Sequence, residues 1–153
     1  VAVVVNRLFE ICMPHRAYFG EKDFQQLLII RELVRIKNLG IEVIGCPIIR
    51  EADGLAMSSR NMRLSPKERE LAPVIYKTLN WIKEQVGKTE IEALINEAES
   101  RLNQYDLIQV EYIKIVDEHR LMPVNQWDLV HDIRAFIALF LGEVRLIDNI
   151  KIK

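Results

Sequence analysis

Two short polar stretches hold side chains of the kinds that grip phosphate. The first is GEKD, Gly20 to Asp23, which sets a glycine, an ammonium group and a carboxylate close together. Glycine lets the backbone come near a ligand, Lys22 can neutralise anionic oxygens, and Asp23 can accept hydrogen bonds from ribose hydroxyls. The second is GLAMSSRNMRLSPKE, Gly54 to Glu68. Here Ser58 and Ser59 offer hydroxyl donors, Arg60 offers a guanidinium fork and Gly54 permits close approach, a set that suits a phosphate chain. Taken singly, each stretch reads at least as well as a solvated turn, with Asp23 only capping the helix after it. Gln25 and Gln26 open that helix; one of them faces the ligand crevice, or both are plain surface.

The elements around these stretches decide whether they meet. RAYFG, Arg16 to Gly20, is short and aromatic enough for a strand, and FQQLLIIRELVRIKN has apolar residues at helical period. Asp23 can cap that helix and Gly40 can close it with a left-handed residue. IEVIGCPII, Ile41 to Ile49, is the apolar, β-branched run of a parallel strand buried on both faces. Strand, helix and strand make a βαβ unit of a doubly wound sheet, in which ligands bind beyond the carboxyl ends of the strands. GEKD follows the first strand and IREADGLAMSSRN follows the second. Two such loops on one sheet edge make a nucleotide-phosphate site the favoured reading.

Flanking segments complete the organisation. Val1, Val4, Val5, Leu8, Phe9 and Cys12 follow the spacing of a buried helix face, and Pro14 ends that helix. Beyond about residue 50, Ser65 and Glu68 form a capping box with Pro66 at the first helical position, Pro73 interrupts the helix, and a second one runs to Gly87. Thr89 and Glu92 suggest another capping box, opening a helix that reaches about Asn103. IQVEYIKIV reads as a strand, and RAFIALFLGEVRLIDNI as a hairpin turning at Gly142 and Glu143, where glycine suits a type II′ turn. Residues 1–50 thus read as part of a parallel α/β sheet and 51–153 as a small α+β domain with antiparallel strands.

Composition narrows the function classes. In 153 residues, 21 basic and 22 acidic side chains nearly cancel, so neither a nucleic-acid nor a membrane-surface partner is expected. No run reaches the roughly 18 apolar residues of a membrane span. Cys12 and Cys46 stand apart from one another and from histidines, which indicates neither a metal site nor a disulfide framework and fits a reduced, cytoplasmic setting. His15, His119 and His131 are isolated, Trp81 and Trp127 suit core or rim packing, Glu10 reads as a helix surface charge, and Glu118 to Arg120 read as a solvated turn. With no initiator methionine and an apolar helical pattern already under way at Val1, the sequence reads as beginning inside a larger protein.

The strings AYFGEKDFQQL and READGLAMSSRN, continuing through RLSPKERELAPVIY to RLIDNI, resemble the pantothenate synthetase family, ligases that join pantoate to β-alanine. The likeness covers essentially the whole chain. It implies the second half of a Rossmann-like, adenylate-forming domain followed by an α+β lid, with the SSR segment similar to the KMSKS loop of class I aminoacyl-tRNA synthetases. It further implies that ATP activates pantoate as pantoyl adenylate with release of pyrophosphate, and that β-alanine then displaces AMP. By matching motif, Gly20, Glu21, Lys22, Asp23, Ile49, Met57, Ser58, Ser59 and Arg60 would bind ATP, with Lys22, Ser58, Ser59 and Arg60 acting in catalysis. Gln26 would hold pantoate, and Mg2+ would bridge the phosphates without a protein metal site. A homodimer is implied for the full-length enzyme. The family's H-x-G-H motif has no counterpart here, so the first strands, part of the pantoate pocket and most dimer contacts would lie in an N-terminal half outside this sequence, and the chain alone would be inactive. His15 stands where aspartate is usual, and Arg7 where lysine is common. Two other readings share these loops: a related nucleotidyltransferase acting on another carboxylic acid, and a non-catalytic lid that binds ATP or phosphate.

Overall fold

The structure, a computed structural model, describes residues 1–153 as two compact units, Val1–Ile48 and Ile49–Lys153. The first unit begins with α1 (Ala2–Cys12), which Met13 ends in the left-handed conformation just before Pro14. β1 (Arg16–Gly20) follows, then a single 3-10 turn (Glu21–Asp23), α2 (Phe24–Ile36) and β2 (Glu42–Cys46). The strands pair in parallel, Arg16 opposite Glu42 through Gly20 opposite Cys46. Phe9, Phe24, Leu27 and Ile30 are the buried apolar side chains of this unit.

Several details depart from the sequence reading. The helix-face spacing in α1 translates into burial only in part: Phe9 is covered and Val5 half-buried, whereas Val1, Val4 and Leu8 are each more than half exposed and Cys12 is exposed too. Position β2 is half-buried rather than enclosed, because its only ladder partner is β1. Gly40 does not close α2. Asn38 takes the left-handed position (φ 50°), its N–H bonding Arg35 O while Leu39 N–H reaches Val34 O at 3.0 Å, the paired pattern of a Schellman exit. Asp23 does stand at the N-cap of α2, yet its side chain makes no capping bond.

In the second unit an antiparallel sheet has the order β3-β4-β5, with β3 (Ile108–Asp117), β4 (Ile133–Leu141) and β5 (Val144–Lys151). Helices α3 (Pro66–Leu71), α4 (Val74–Glu84) and α5 (Ile91–Asn103) precede it. α4 lies over β4 and β5 and α5 over β3, so that Ile75, Leu79, Ile82, Leu94, Ala98 and Leu102 share one core with the alternate residues Ile133, Ala135, Ile137, Leu139 and Leu141 of β4. Mixed parallel and antiparallel sheets in one α/β chain match the expected fold class. The Ser65–Glu68 capping box forms in both directions with Pro66 at N1, and Pro73 separates α3 from α4. The second expected box does not form: Glu90, not Thr89, holds the N-cap of α5, and Thr89 instead lends its carbonyl to Trp127 Nε1. Gly142 (φ 57°) and Glu143 make the two-residue β4–β5 turn, and a Cβ on Gly142 would fall 1.9 Å from Glu68 Oε1. No helix is long and apolar enough to cross a membrane.

Candidate functional site

Within the first unit, the parallel register brings the ends of β1 and β2 level at Gly20 and Cys46. The chain turns at once through Glu21, Lys22 and Asp23 into α2, so these residues sit where a parallel sheet opens toward ligand. Gly20 has ordinary extended dihedrals, and a Cβ placed on it would meet nothing within 4 Å. Its use is therefore the open space above it and not an unusual backbone. Asp23 is exposed and uncommitted to capping, Lys22 is half-buried, and Gln26 lies one turn into α2, half-buried where Gln25 is exposed.

The other group of expected residues lies in the second unit. Ile49 and Met57 are joined by a Met57 N–H to Ile49 O bond of 2.9 Å, and Arg50 and Ala56 form an antiparallel bridge between them. The segment between is thus a small hairpin, tightened by Glu51 N–H to Leu55 O at 2.8 Å and Gly54 N–H to Glu51 O at 2.9 Å. From its end the chain enters a 3-10 turn, Ser59–Arg63, whose Arg60 N–H is capped by Ser58 Oγ at 3.3 Å. That bond uses the oxygen of Ser58 as acceptor and leaves its hydroxyl proton to be donated outward. Glu51, Met57, Ser58, Ser59, Asn61, Met62 and Arg69 line an open cavity of about 700 Å³. Arg60 is exposed beside it and does not form its wall.

Gly54 serves differently from the sequence reading. With φ at 92° and a Cβ position only 2.3 Å from Tyr76 Cδ1, it is glycine because α4 packs its tyrosine there. Asp53, at the hairpin tip, accepts from Arg69 Nη1 at 2.5 Å, and the guanidinium holds the carboxyl below its usual range while the carboxylate raises Arg69. Asn61, 9% exposed, donates through Nδ2 to Ala56 O at 3.1 Å, whereas its Oδ1 has no partner. Residue type alone does not mark Arg69 as a residue of this cavity. Asn61 lies inside the quoted string, but nothing in a single sequence says that its amide faces inward.

Other residues set aside in the sequence fall into structural places. Glu118 is half-buried, pairing with the buried Arg134 at 3.1 Å, while His119 and Arg120 are exposed and form the turn, their N–H groups both donating to Asp117 Oδ1. Glu10 pairs with Arg7 on the surface of α1, and Arg101 lies over the Trp81 ring. No group of three or more His, Cys, Asp or Glu side chains is placed to hold a metal ion.

Comparison with known proteins bears on this arrangement. The family model described as pantoate-beta-alanine ligase matches residues 1–151. A pantothenate synthetase from Bacteroides fragilis is 46% identical over 153 residues, which is all of this chain and 54% of that protein. A solved pantothenate synthetase from Thermus thermophilus superposes with a TM-score of 0.91 at 42% identity, over 99% of this chain and 54% of its own. A pantoate-beta-alanine ligase from Francisella tularensis, solved in complex with beta-gamma ATP and beta-alanine, matches with a TM-score of 0.69 at 32% identity, covering 49% of that chain. The chain spans about half the length of the relatives it matches. With GEKD at the mouth of a parallel strand pair and Met57, Ser58, Ser59 and Asn61 on the wall of an open cavity, within a family match running almost end to end, this chain belongs to the pantoate–β-alanine ligase family.

Proposed function

We propose that this chain carries the ATP-handling part of an enzyme that condenses pantoate with β-alanine. The observation that carries the reading is the family match over residues 1–151, in which both phosphate-type loops are intact. In the first half-reaction a pantoate carboxylate oxygen bonds to the α-phosphorus of ATP as the bond to the β-phosphate oxygen breaks, releasing pyrophosphate. In the second, the β-alanine amine attacks the acyl carbon, a proton leaves the nitrogen and AMP departs. The product is pantothenate, a precursor in coenzyme A biosynthesis.

Little covalent help is needed from the protein, so its task is alignment and charge neutralisation. Lys22 stabilises phosphate charge as it builds, Ser58 and Ser59 donate hydroxyl protons, and Arg60 pairs with phosphate oxygens. Gly20 leaves room for the nucleotide, Glu21 completes the turn that holds it, and the exposed Asp23 accepts from ribose hydroxyls. Ile49 backbone and Met57 flank adenine, and Gln26 bonds pantoate. Mg2+ would enter on the triphosphate oxygens themselves, as it commonly does with few protein ligands. The second unit acts as the lid that carries Ser58, Ser59 and Arg60.

Turnover requires a further half of the catalytic domain, and the enzyme works in the cytoplasm as a homodimer. In support, β1 and β2 form a two-stranded sheet, a marginal structure by itself, and α1 exposes Val1, Val4, Leu8 and Ile11 along one stripe. The test is to assay the purified chain for AMP release with ATP, magnesium, pantoate and β-alanine, then repeat with the N-terminal half of a relative supplied in trans. Release in the second assay only is the expected result. Saturable ATP binding with no AMP release in either assay would point to a non-catalytic lid, and pyrophosphate exchange with another acid but not pantoate would point to a different nucleotidyltransferase.

A further inference from the structure

The hairpin that delivers Met57, Ser58 and Ser59 is fastened at its root by an ion pair that no part of the proposed chemistry uses. Arg50 donates through Nη1 to Asp148 Oδ2 at 2.6 Å and through Nη2 to Asp148 Oδ1 at 3.0 Å, a two-pronged contact. The same guanidinium reaches Gly54 O at 3.0 Å and Asn149 O at 3.3 Å, and lies 3.9 Å from the centroid of Tyr76. One side chain thus ties together the root and the tip of its own hairpin, the outer strand β5 and helix α4. Asp148 is 3% exposed, and it occupies the strand register of Val144, Leu146, Ile150 and Ile152, which face the apolar core. An acid in that register is costly unless a fixed partner meets it, and arginine's planar fork is the partner whose geometry fits. A buried pair is often no more stabilising than apolar residues of the same size, so stability alone does not explain its presence.

We infer that Arg50 and Asp148 are positioning residues for the nucleotide loop: they hold the hairpin so that Ser58 and Ser59 are presented in one fixed arrangement before ligand arrives. The tip has a second fastening in Asp53–Arg69, and Gly54 admits the Tyr76 ring on which the Arg50 guanidinium stacks. Preorganised donors lose less on binding than donors that must first be ordered, so releasing the root weakens triphosphate binding without removing any group that touches it. This role rests on the nucleotide reading of the loop, and two readouts separate their fates.

The variant is Arg50→Met combined with Asp148→Leu, which replaces the pair by apolar side chains of similar size. Expected is a cooperative melt within a few degrees of wild type, together with amide hydrogen exchange at Glu51, Gly54 and Met57 at least tenfold faster and exchange in β4 unchanged. ATP with magnesium should bind about tenfold more weakly, and Arg50→Lys, which keeps the charge but loses the fork and the stacking, should resemble the double variant. Wild-type exchange rates in the hairpin of the double variant would overturn the positioning role. So would wild-type ATP affinity in Arg50→Lys. Should the double variant melt without cooperativity, Asp148→Asn, which keeps shape and removes charge, carries the same exchange comparison. A wild-type chain that binds no ATP would sink the nucleotide reading, and the exchange data would still decide whether the clamp exists.

Discussion

At the scale of single residues, two of the side chains proposed to touch the nucleotide keep hydrogen-bonding capacity in hand. Asp23 stands at a helix start without capping it, and Ser58 spends only its acceptor on the loop. In the complete enzyme, Lys22→Ala should slow single-turnover adenylate formation by about two to three orders of magnitude while weakening ATP binding less, the expected cost of deleting one preorganised charge-stabilising donor. Unchanged adenylation would remove Lys22 from the mechanism. Gly54→Ala combines a positive φ with a Cβ inside contact distance of Tyr76, so a loss of about 1–3 kcal/mol is expected, readable as a lowered denaturation midpoint at unchanged slope. Asp132 offers a pH test. Lys151 and then His119 hold its carboxyl at about 2, so its contribution is present above its ordinary value of 3.8 and is lost as pH falls through about 2. The melting temperature of Asp132→Asn should lie slightly below wild type near neutrality and converge with it as the buffer is taken from about pH 4 to about pH 2.

At the scale of elements, the sequence was most legible where local chemistry settles the outcome. Ser65, Pro66 and Glu68 specify a helix start without outside help, and the capping box forms with Ser65 N–H to Glu68 Oε2 at 2.7 Å. Ser65→Ala should cost about 1 kcal/mol and lower the melting temperature by a few degrees. Calorimetry on the two proteins checks it. Thr89 and Glu92 have the same spacing, yet Trp127 claims the Thr89 carbonyl and the helix starts one residue later. Asn38 likewise displaces Gly40, because where α2 stops depends on how the chain must turn into β2. The two polar loops were placed correctly after the strands from residue type and element order. Their support was not: Arg50 and Asp148 are 98 positions apart. One sign was available, an aspartate in a register otherwise filled by Val144, Leu146 and Ile150, but a single sequence does not name the partner such an acid has found.

At the scale of the whole molecule, the two units differ sharply in how much they bury. The second encloses a continuous core running from Leu55 to Ile152, whereas the first buries Phe9, Phe24, Leu27 and Ile30 under a two-stranded sheet. Amide protection should therefore be high in β4 and α4 and low in β1 and β2, and limited proteolysis should remove residues 1–48 before it cuts within 49–153. Equal protection of both sheets would mean that the first unit draws stability from something its own buried side chains do not supply. Adding the N-terminal half of a relative should raise protection in β1 and β2 selectively, which ties the folding of this unit to the same partner that its proposed activity requires.

The outer side of β3 bears on how this chain behaves when concentrated. It is one margin of the three-stranded sheet, and such margins recruit other chains into fibrils. Three features blunt it: an irregular register between Val110 and Tyr112, the exposed Lys114 at mid-strand, and residues 122–124, which lie alongside with Val124 N–H on Ile115 O and Met122 O on the Asp117 N–H. The turn containing Pro123 thus acts as a guard rail. Lys114→Val removes a gatekeeper charge from a run already rich in isoleucine, valine and tyrosine. It should leave the melt nearly unchanged while shortening the lag before thioflavin-positive aggregates form on gentle heating, so that stability and solubility part company at a single position.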